Sequence, residues 1–330
     1  MITSRDVARL AGVSQPTVSR ALRGDQRVSE DTRQKVRRAA EALNYVPSET
    51  GRSLSTRMTK RIGVVVTDLT NPFYPHLIGP VHDELEAHGY RMMLFTERDE
   101  TAVTSQRLLD RSIDGVVLAT ATVNSRLPEE LRSRELPFVF LNREGGGQSG
   151  DAAVVDNELG GRLVAQELAR LGHREVACIG GPPETTTGRD REMGFRLGLS
   201  EAGIALPESS VRRGPFDFDT GHRLLEEVLE SRPTAVFCGN DVIAIGALNA
   251  ALRLGARIPE DLTLVGFDDI PMASWAAFDL TTVHYDLSAL AQAAARLLVE
   301  RIESDEESGP RRTRFEPELV LRSTHGPPPR

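Results

Sequence analysis

Near its N-terminus the chain reads Asp6-Val7-Ala8-Arg9-Leu10-Ala11-Gly12-Val13-Ser14-Gln15-Pro16-Thr17-Val18-Ser19-Arg20-Ala21-Leu22, and this stretch predicts two short helices joined by a tight turn. Thr3 and Asp6 have the spacing of a capping box, so the first helix is expected to begin beside them. Gly12 ends that helix. Its apolar stripe is predicted to consist of Val7, Leu10 and Ala11. Two helices connected in this way form a helix-turn-helix.

The second helix is predicted from Gln15 to Leu22, with Ser14 as its cap. Pro16 falls in its first turn, where a missing N–H costs nothing. A third helix, from Glu30 to Leu43, is predicted after a cap at Ser29. The inward-facing residues of these two helices are predicted to be Val18, Leu22, Val36, Ala40 and Leu43.

The outer face of the second helix is rich in hydrogen-bond donors. Arginine and glutamine can bind base edges through two hydrogen bonds, while hydroxyl groups and arginine can bind phosphates. This face therefore predicts contact with DNA. The alternative is a three-helix packing module with no DNA partner. The face comprises Gln15, Pro16, Thr17, Ser19, Arg20 and Arg23.

Charge is distributed unevenly along the 330 residues. Residues 1–60 hold 12 of the 40 Lys and Arg and 6 of the 48 Asp and Glu, a net charge of +6. The remainder of the chain carries a net charge of −14, which gives the total of −8. A basic head and an acidic body indicate that the head binds a polyanion. A basic helix surface without a partner is the alternative.

The two cysteines, Cys178 and Cys238, each lie in an apolar run. Buried strand thiols are therefore favoured over a disulfide or a metal pair. The N-terminus has no apolar signal-peptide core, and no apolar run approaches the length of a membrane span. We expect a cytosolic protein without a metal or cofactor.

From residue 61 onward, short β-branched runs alternate with helical patterns, and the pattern starts afresh near Asp156. This alternation predicts an α/β fold: a three-helix helix-turn-helix head followed by two doubly wound parallel-sheet lobes, with a ligand cleft at the carboxyl ends of the strands. The predicted strands are Ile62–Val66, Met92–Thr96, Gly115–Ala119, Phe138–Leu141, Val176–Ile179, Ala235–Cys238, Leu262–Gly266 and Thr281–Val283. The predicted helices are Leu77–His88, Leu159–Leu171, Arg189–Ala202, Gly221–Leu229, Val242–Leu254 and Leu287–Ile302.

Polar and aromatic residues cluster at the predicted strand ends. Carboxylates, amides, arginine forks and aromatic faces are what a polyhydroxyl ligand needs. Any one of them can instead be a cap or satisfy a loop, and for Asp241 we favour capping of the helix that follows. The segments are 68–73, 142–143, 180–191, 216, 239–241 and 266–269.

The stretch from Asp6 to Leu22, with Asn44-Tyr45-Val46-Pro47, closely resembles the head of the lactose-repressor/purine-repressor (LacI) family of transcription regulators. The likeness continues through the body in Gly180-Gly181-Pro182-Pro183, Gly188-x-x-Arg191-x-x-Gly194-Phe195, Pro233 to Asp241, Val265 to Asp269, and Leu280 to Val283. It implies a helix-turn-helix domain at 1–46, a hinge linker at 47–60 and an effector-binding and dimerisation domain at 61–330. The lobes would be of the periplasmic-binding-protein type, the N-lobe about 61–155 and 287–316, the C-lobe about 156–286 and 317–330.

The resemblance also implies roles for individual residues of the head. Gln15, Pro16 and Arg20 would read bases in the major groove, with Pro16 offering only apolar contact. Residues near phosphates would be Ser14, Thr17, Ser19, Arg27 and Ser29, and Ser4, Arg5 and Arg23 complete the DNA-contacting set of this region. The partner implied is a double-stranded, pseudo-palindromic operator read by a homodimer.

In the linker, Leu54 falls where family members insert a leucine into the minor groove. The segment would fold into a short helix only on DNA, although a flexible tether is the simpler alternative. Gly51 stands where relatives commonly have alanine, and glycine costs about 0.5–1 kcal/mol in a helix. We predict that Gly51→Ala tightens operator binding and weakens effector control. Titration of both proteins on one operator tests this, and equal affinities would contradict folding of the segment.

In the body, the resemblance assigns the effector to a set of eight residues: Phe73, Asn142, Arg143, Thr187, Arg191, Phe216, Asn240 and Asp268. Arg191, Asn240 and Asp268 would hold hydroxyl groups, and the two phenylalanines would pack on the ligand. Thr185 stands where the purine-binding branch has arginine, which argues against a purine and leaves a sugar or sugar derivative as the first expectation. Residues 304–330 lack the leucine heptads of tetrameric relatives, so a dimer is expected.

An enzyme and a periplasmic sugar-binding protein are the alternatives to this interpretation. An enzyme is disfavoured, because the sequence has no G-x-G-x-x-G after a strand, no Walker-type loop and no G-x-S-x-G, and its histidines are scattered; no catalytic residue is assigned. A periplasmic sugar-binding protein would share the lobes but would have an export signal in place of the helix-turn-helix.

Overall fold

The computed structural model describes residues 2–22, 24–46, 58–96, 108, 112–146, 150–304 and 308–329. The chain divides into two compact units, Met1–Thr59 and Lys60–Arg330. Each unit has its own core and is considered by itself.

The described residues of the first unit form three helices: α1 (Ser4–Ala11), α2 (Gln15–Leu22) and α3 (Glu30–Ala42). The predicted caps are present. The Asp6 carboxylate accepts a hydrogen bond from the Thr3 backbone N–H at 2.9 Å, and Gly12 adopts the left-handed conformation at φ 67°. The buried core of the unit is Val7, Ala8, Val18, Ala21, Val28, Val36, Ala39 and Ala40.

The predicted inward position of Leu10 is wrong, because this side chain is 56% exposed and Ala8 is buried in its place. Residues of an α-helix are spaced about 100° apart around its axis. Val7, Ala8 and Ala11 therefore share an arc of about 100°, and Leu10 lies outside it. The third helix also ends one residue earlier than predicted, with Leu43 as its C-cap.

The second unit contains two six-stranded sheets. The first has the order β11-β5-β4-β3-β1-β2 and is parallel throughout; the second has the order β12-β10-β9-β8-β6-β7 and is parallel except for the β10–β12 edge pair. The strands are β1 (Arg61–Val66), β2 (Arg91–Thr96), β3 (Gly115–Leu118), β4 (Phe138–Leu141), β5 (Asp151–Val155), β6 (Val176–Gly180), β7 (Val211–Arg213), β8 (Ala235–Cys238), β9 (Thr263–Phe267), β10 (Thr281–His284), β11 (Arg312–Phe315) and β12 (Glu318–Val320).

Helices cover both sheets, as expected for parallel strands that are buried on both faces. Their bounds are α4 (Pro75–Ala87), α5 (Leu127–Ser133), α6 (Asn157–Leu171), α7 (Thr186–Glu201), α8 (Phe218–Leu229), α9 (Asp241–Leu254) and α10 (Leu287–Glu303). Cys178 and Cys238 are buried free thiols in the second sheet. The predicted α/β class, with a helix-turn-helix head and two parallel-sheet lobes, is confirmed.

Four strands and one helix were missed by the sequence analysis: β5, β7, β11, β12 and α5. The chain passes from one sheet to the other after β5, after β10 and between β11 and β12. Two of these crossings enter a capped helix: the Asp156 side chain accepts from Leu159 N–H, and the Asp286 side chain accepts from Ala289 N–H. The crossings bring the carboxyl ends of the strands of both lobes around one cleft.

Candidate functional sites

The outer face of α2 is largely accessible in the free protein. Ser14, Gln15, Pro16, Arg20, Arg27 and Ser29 are exposed, whereas Thr17 and Ser19 are half-buried. Arg5 is exposed on the neighbouring helix α1 and Ser4 is half-buried there. The candidates Arg23 and Leu54, together with Gly51, lie outside the described residues.

Gln15 is already held in one orientation by the helix beside it. Its Nε2 donates to Ser4 Oγ at 2.9 Å, and its Oε1 accepts from Arg5 Nε at 3.4 Å. The amide is thereby restrained at the start of α2, so that less side-chain entropy is lost when it meets a base. Ser4 and Arg5 thus act on Gln15 as well as presenting their own donors.

Arg27 is paired with a carboxylate rather than free. Its guanidinium binds Asp25 through Nε–Oδ1 at 3.0 Å and Nη2–Oδ2 at 2.8 Å. The hydrogen bonds from Arg27 lower the pKa of Asp25 to about 2. A phosphate contacted by Arg27 would therefore compete with the Asp25 carboxylate for the guanidinium, or bind the guanidinium together with it.

In the second unit, Arg191 is the centre of a buried polar network. It is only 2% exposed. Its Nε donates to Asn157 Oδ1 at 2.8 Å, its Nη1 to the Gly239 carbonyl at 2.8 Å, and its Nη2 to Asp268 Oδ1 at 2.7 Å. The guanidinium also lies 3.8 Å from the centre of the Phe267 ring. The arginine is thus fixed by groups from two strand ends, those of β8 and β9, and from the start of one helix, α6.

Asp268 is held in an unusual backbone conformation. Its backbone φ of 108° lies in the region that L residues rarely adopt. Its N–H donates to the Val283 carbonyl at 2.9 Å. Tyr285 donates its hydroxyl to Asp268 Oδ1 at 2.8 Å. Burial raises the pKa of the Asp268 carboxyl, although Arg191 and Tyr285 act in the opposite direction.

The capping role that we favoured for Asp241 belongs to its neighbour Asn240. Asn240 caps α9, because its Oδ1 accepts from the Ile243 N–H at 2.9 Å. Asp241 is not the cap: it is the first residue of the helix, fully buried, and its Oδ2 accepts from the Ile270 N–H at 2.8 Å. Burial, and then the nearby Asp268, raise the pKa of Asp241 well above its usual range. Asp241 therefore supports the strained loop that carries Asp268.

Two helices approach each other closely behind Arg191. A Cβ on Gly194 of α7 would lie 1.9 Å from the Glu158 carbonyl oxygen of α6, and one on Gly161 of α6 would lie 2.1 Å from the Arg191 carbonyl oxygen. Only glycine permits this backbone approach. The close crossing brings Asn157, at the start of α6, within reach of Arg191.

On the facing lobe, Asn142 follows β4 in the left-handed conformation at φ 65°. Its side chain is buried, and Oδ1 accepts no hydrogen bond within the described part of the chain. Next to it, the Arg143 guanidinium lies 5.3 Å from the centre of the Phe216 ring, which belongs to the other lobe. The Phe216 ring is also 5.9 Å from the Arg191 guanidinium.

Hydrogen bonds join the two lobes across the cleft. Asn71 Nδ2 donates to the Phe216 carbonyl at 2.7 Å, and the Val123 N–H donates to the Glu184 carbonyl at 2.8 Å. The cavity between the lobes has a volume of about 360 Å³, within the range of sites for small molecules. Its lining includes Asp68, Asn71, Tyr74, Arg143, Phe216 and Asp219.

Contacts between side chains thus link Arg143, Phe216, Arg191 and Asp268 in one group, of which Arg143 and Phe216 line the cavity. Asn142 and Asn240 lie at other strand ends, after β4 and β8. Phe73 is buried and stacks edge-on against Tyr74. Thr187 is buried and donates to Thr185 Oγ1 at 3.3 Å, and Thr185 caps α7 by accepting from Gly188 N–H. Sequence reasoning missed Asn157 and Tyr285 as partners, because nothing in their spacing marks them.

Among the described residues, no group of three or more His, Cys, Asp or Glu side chains could hold a metal ion. None of the helices described is both long and apolar enough to cross a membrane.

Comparisons with known families match both units. Residues 3–48 match the family described as bacterial regulatory proteins, lacI family. Residues 165–325 match the periplasmic binding protein-like domain.

Individual relatives align along nearly the whole chain. The HTH-type transcriptional repressor PurR of Vibrio vulnificus is 34% identical over 332 residues, covering 98% of both chains. The ribose operon repressor of Escherichia coli K12 is 36% identical over 308 residues, covering 92% of this chain and 93% of the relative.

Solved structures agree. A complex of the transcriptional regulator CelR with cellobiose has a TM-score of 0.75 at 32% identity, covering 98% of this chain and all of that one. The lac repressor dimer bound to operator and the anti-inducer ONPF has a TM-score of 0.85 at 26% identity, covering 98% of both. The chain therefore belongs to the lacI family of bacterial regulatory proteins and is a DNA-binding transcription regulator, as the sequence of its head predicts.

Proposed function

We propose that the chain represses transcription as a homodimer on a pseudo-palindromic operator, and that a sugar or sugar derivative bound between the lobes controls its affinity for DNA. The proposal uses a DNA-binding domain at 1–46, a linker at 47–60 and an effector domain at 61–330. The N-lobe would comprise about 61–155 and 287–316, and the C-lobe about 156–286 and 317–330. Ligand binding would shift the population between lobe arrangements that favour or disfavour the DNA-bound dimer.

The observation that carries the ligand class is the pattern of hydrogen-bonding groups left over at the cleft. Arginine has five N–H donors, and Arg191 uses three of them on protein acceptors. Both hydrogen bonds to Asp268 fall on Oδ1, which leaves Oδ2 as an acceptor. Asn142 Oδ1 is a second acceptor, buried without a donor among the described residues. Spare donors beside spare acceptors suit hydroxyl groups, which both donate and accept.

The Phe216 ring supplies the remaining requirement for a sugar. Phe216 lines the cavity, and the guanidinium groups of Arg143 and Arg191 lie 5.3 Å and 5.9 Å from its ring centre. Its aromatic surface can cover the C–H surface of a pyranose or furanose ring. The named relatives support the class, since one is a ribose operon repressor and another was solved with cellobiose.

A thermal-shift screen of the full-length protein against sugars, including D-ribose and cellobiose, tests the ligand class. A ligand that binds only the folded state stabilises it by RT ln(1 + [L]/Kd), about 2.7 kcal/mol at 100 times Kd. We expect at least one sugar to raise the Tm of the body. Should none do so at millimolar concentration while a different class of metabolite does, the sugar assignment is wrong.

Dimerisation on DNA is proposed because the lac repressor structure is a dimer bound to operator, and a two-fold dimer reads two half-sites. Gln15, Pro16 and Arg20 would contact bases, with Ser14, Thr17, Ser19, Arg27 and Ser29 near phosphates. Ser4, Arg5, Arg23 and Leu54 complete the proposed contacts. We also propose that the chain catalyses no reaction and acts in the cytoplasm, since its named relatives are repressors.

Arg20→Ala tests the proposed reading face. Loss of a two-fold hydrogen-bonded contact to a base should cost about 1–3 kcal/mol and relax preference at one base pair of each half-site. Duplexes selected from a random library with the wild-type protein provide the probe, and fluorescence anisotropy provides the affinities. Arg38→Ala is the matched control, because Arg38 is exposed on α3 outside the reading face. If both variants weaken all duplexes equally, Arg20 does not read a base.

A further inference from the structure

We propose that Tyr285 is a positioning residue that couples the cleft to the linker. Its hydroxyl binds Asp268. Helix α10 begins two residues after Tyr285 and ends at Glu303, which contacts Lys60. The inference rests on the proposed function, because it concerns how an occupied cleft reaches the DNA-binding head. It is carried by contacts at the two ends of α10, which are described in turn.

At the first end, Tyr285 is buried at the crossing between the lobes. Its hydroxyl donates to Asp268 Oδ1 at 2.8 Å, and its ring lies 6.2 Å from that of Phe267, centre to centre. The side chain is therefore anchored in the C-lobe, while the backbone continues into the N-lobe. Asp286 follows immediately and caps α10 by accepting from the Ala289 N–H at 2.8 Å. A displacement of Asp268 thus acts directly on the start of the helix.

Between the ends, α10 is one uninterrupted helix of 17 residues without glycine or proline, and is therefore about 25 Å long. It packs against β3, β4, β5 and α4 of the N-lobe. Its buried face is Leu290, Ala291, Ala294, Ala295, Leu298 and Val299. Close-packed helices move as rigid units rather than deform continuously. The helix is therefore suited to carry a shift from one end to the other.

At the second end, Glu303 holds Lys60, which is the first residue of the second unit. Glu303 Oε1 lies 3.0 Å from Lys60 Nζ and accepts from the Tyr90 hydroxyl at 3.2 Å. The Lys60 ammonium also lies 3.9 Å from the centre of the Tyr90 ring. Lys60 has a positive φ of 54°, and its N–H donates to Asp114 Oδ2 at 2.7 Å. A half-exposed ion pair is weak alone, but together these contacts fix the backbone where the linker enters the body.

These contacts define a route of coupling that runs along α10, from Asp268 at one end to Lys60 at the other. A hydroxyl group that binds the spare Asp268 Oδ2 competes with, or reinforces, the hold of Tyr285 on the same carboxylate. The start of α10 then shifts relative to the C-lobe, and Glu303 moves against Lys60. Such a route requires that disturbing one end changes the other, and that the effect is reciprocal.

Hydrogen–deuterium exchange of the full-length protein, without DNA or sugar, tests this coupling. Tyr285→Phe removes only the hydroxyl. We expect amide exchange to become about two-fold faster or more in two segments, 267–271 and 58–62. Ser231→Ala is the matched control, because it likewise removes one hydroxyl hydrogen bond of the same unit, from Ser231 Oγ to the Val228 carbonyl at 2.8 Å, at a residue outside the cavity lining. Faster exchange in 267–271 alone, or an equal effect of the control on 58–62, would overturn the proposal.

Glu303→Ala provides the reverse experiment and does not disturb the cleft directly. Exchange should rise in 58–62 and, by reciprocity, in 267–271. A change confined to 58–62 would count against coupling, even if Tyr285→Phe failed to fold. Because neither experiment uses a ligand or an operator, failure here is distinguishable from failure of the proposed effector class, which the sugar screen decides.

Discussion

Replacing Arg191 with alanine is expected to abolish the response to the effector and to lower the free energy of unfolding of the body by about 3–5 kcal/mol. The side chain neutralises Asp268 in a fully buried setting and satisfies Asn157 and the Gly239 carbonyl. Its removal leaves a buried carboxylate without its cation and two acceptors without donors. Urea unfolding followed by circular dichroism measures the first effect, and operator release by sugar measures the second.

Arg189→Ala is the control for that experiment. Arg189 lies on the same helix two residues earlier, but its side chain is half exposed and forms an ion pair with its neighbour Asp190. It should change stability by less than about 0.5 kcal/mol and leave the response intact. Operator binding by Arg191→Ala should persist at temperatures where the body is folded. A variant that still responds normally to sugar would show that the ligand lies elsewhere.

Gly194→Ala is expected to destabilise the body by about 1–3 kcal/mol or more. The added Cβ would lie 1.9 Å from the Glu158 carbonyl oxygen, so α6 and α7 must separate. Separation moves Asn157 away from Arg191, and we therefore also expect weaker sugar binding. Urea unfolding gives the stability, and calorimetric titration with the sugar found by thermal shift gives the affinity.

Ser200→Ala is a suitable comparison for Gly194→Ala, because Ser200 is exposed on the same helix. Alanine favours helix more than serine does, so this change should be neutral or slightly stabilising. Wild-type stability in Gly194→Ala would mean that the helices are not packed as closely as the structure shows.

Much of the fold could be predicted because its elements carry local signals. The capping box at Thr3 and Asp6 and the left-handed Gly12 mark the ends of α1, and the apolar runs at Ile62–Val66 and Ala235–Cys238 mark buried strands. The missed strands β11 and β12 are only four and three residues long and lie at sheet edges. They are strands because each pairs with a strand far away in the chain, which no local pattern reports. Leu10 was misplaced because Val7, Leu10 and Ala11 also share an arc of about 100°, so helical angle alone does not decide whether Ala8 or Leu10 faces the core.

The candidate site was predicted in part for the same reason. Strand ends can be located from sequence, so Arg191, Phe216 and Asp268 could be grouped. The cap was assigned to Asp241 in place of Asn240, because both residue types are good helix caps and they are adjacent in the sequence. Tyr285 could not be found, because its role depends on a contact between residues 17 positions apart that follow two different strands, β9 and β10.

The most direct test compares the affinity of the full-length protein for its selected duplex and for a scrambled duplex of equal length, with and without each sugar of the panel. We expect the selected duplex to bind about 10³-fold tighter or more at physiological salt. One sugar should change that affinity by about 5- to 150-fold while leaving the scrambled duplex unaffected. Equal binding of both duplexes under every condition would contradict the account.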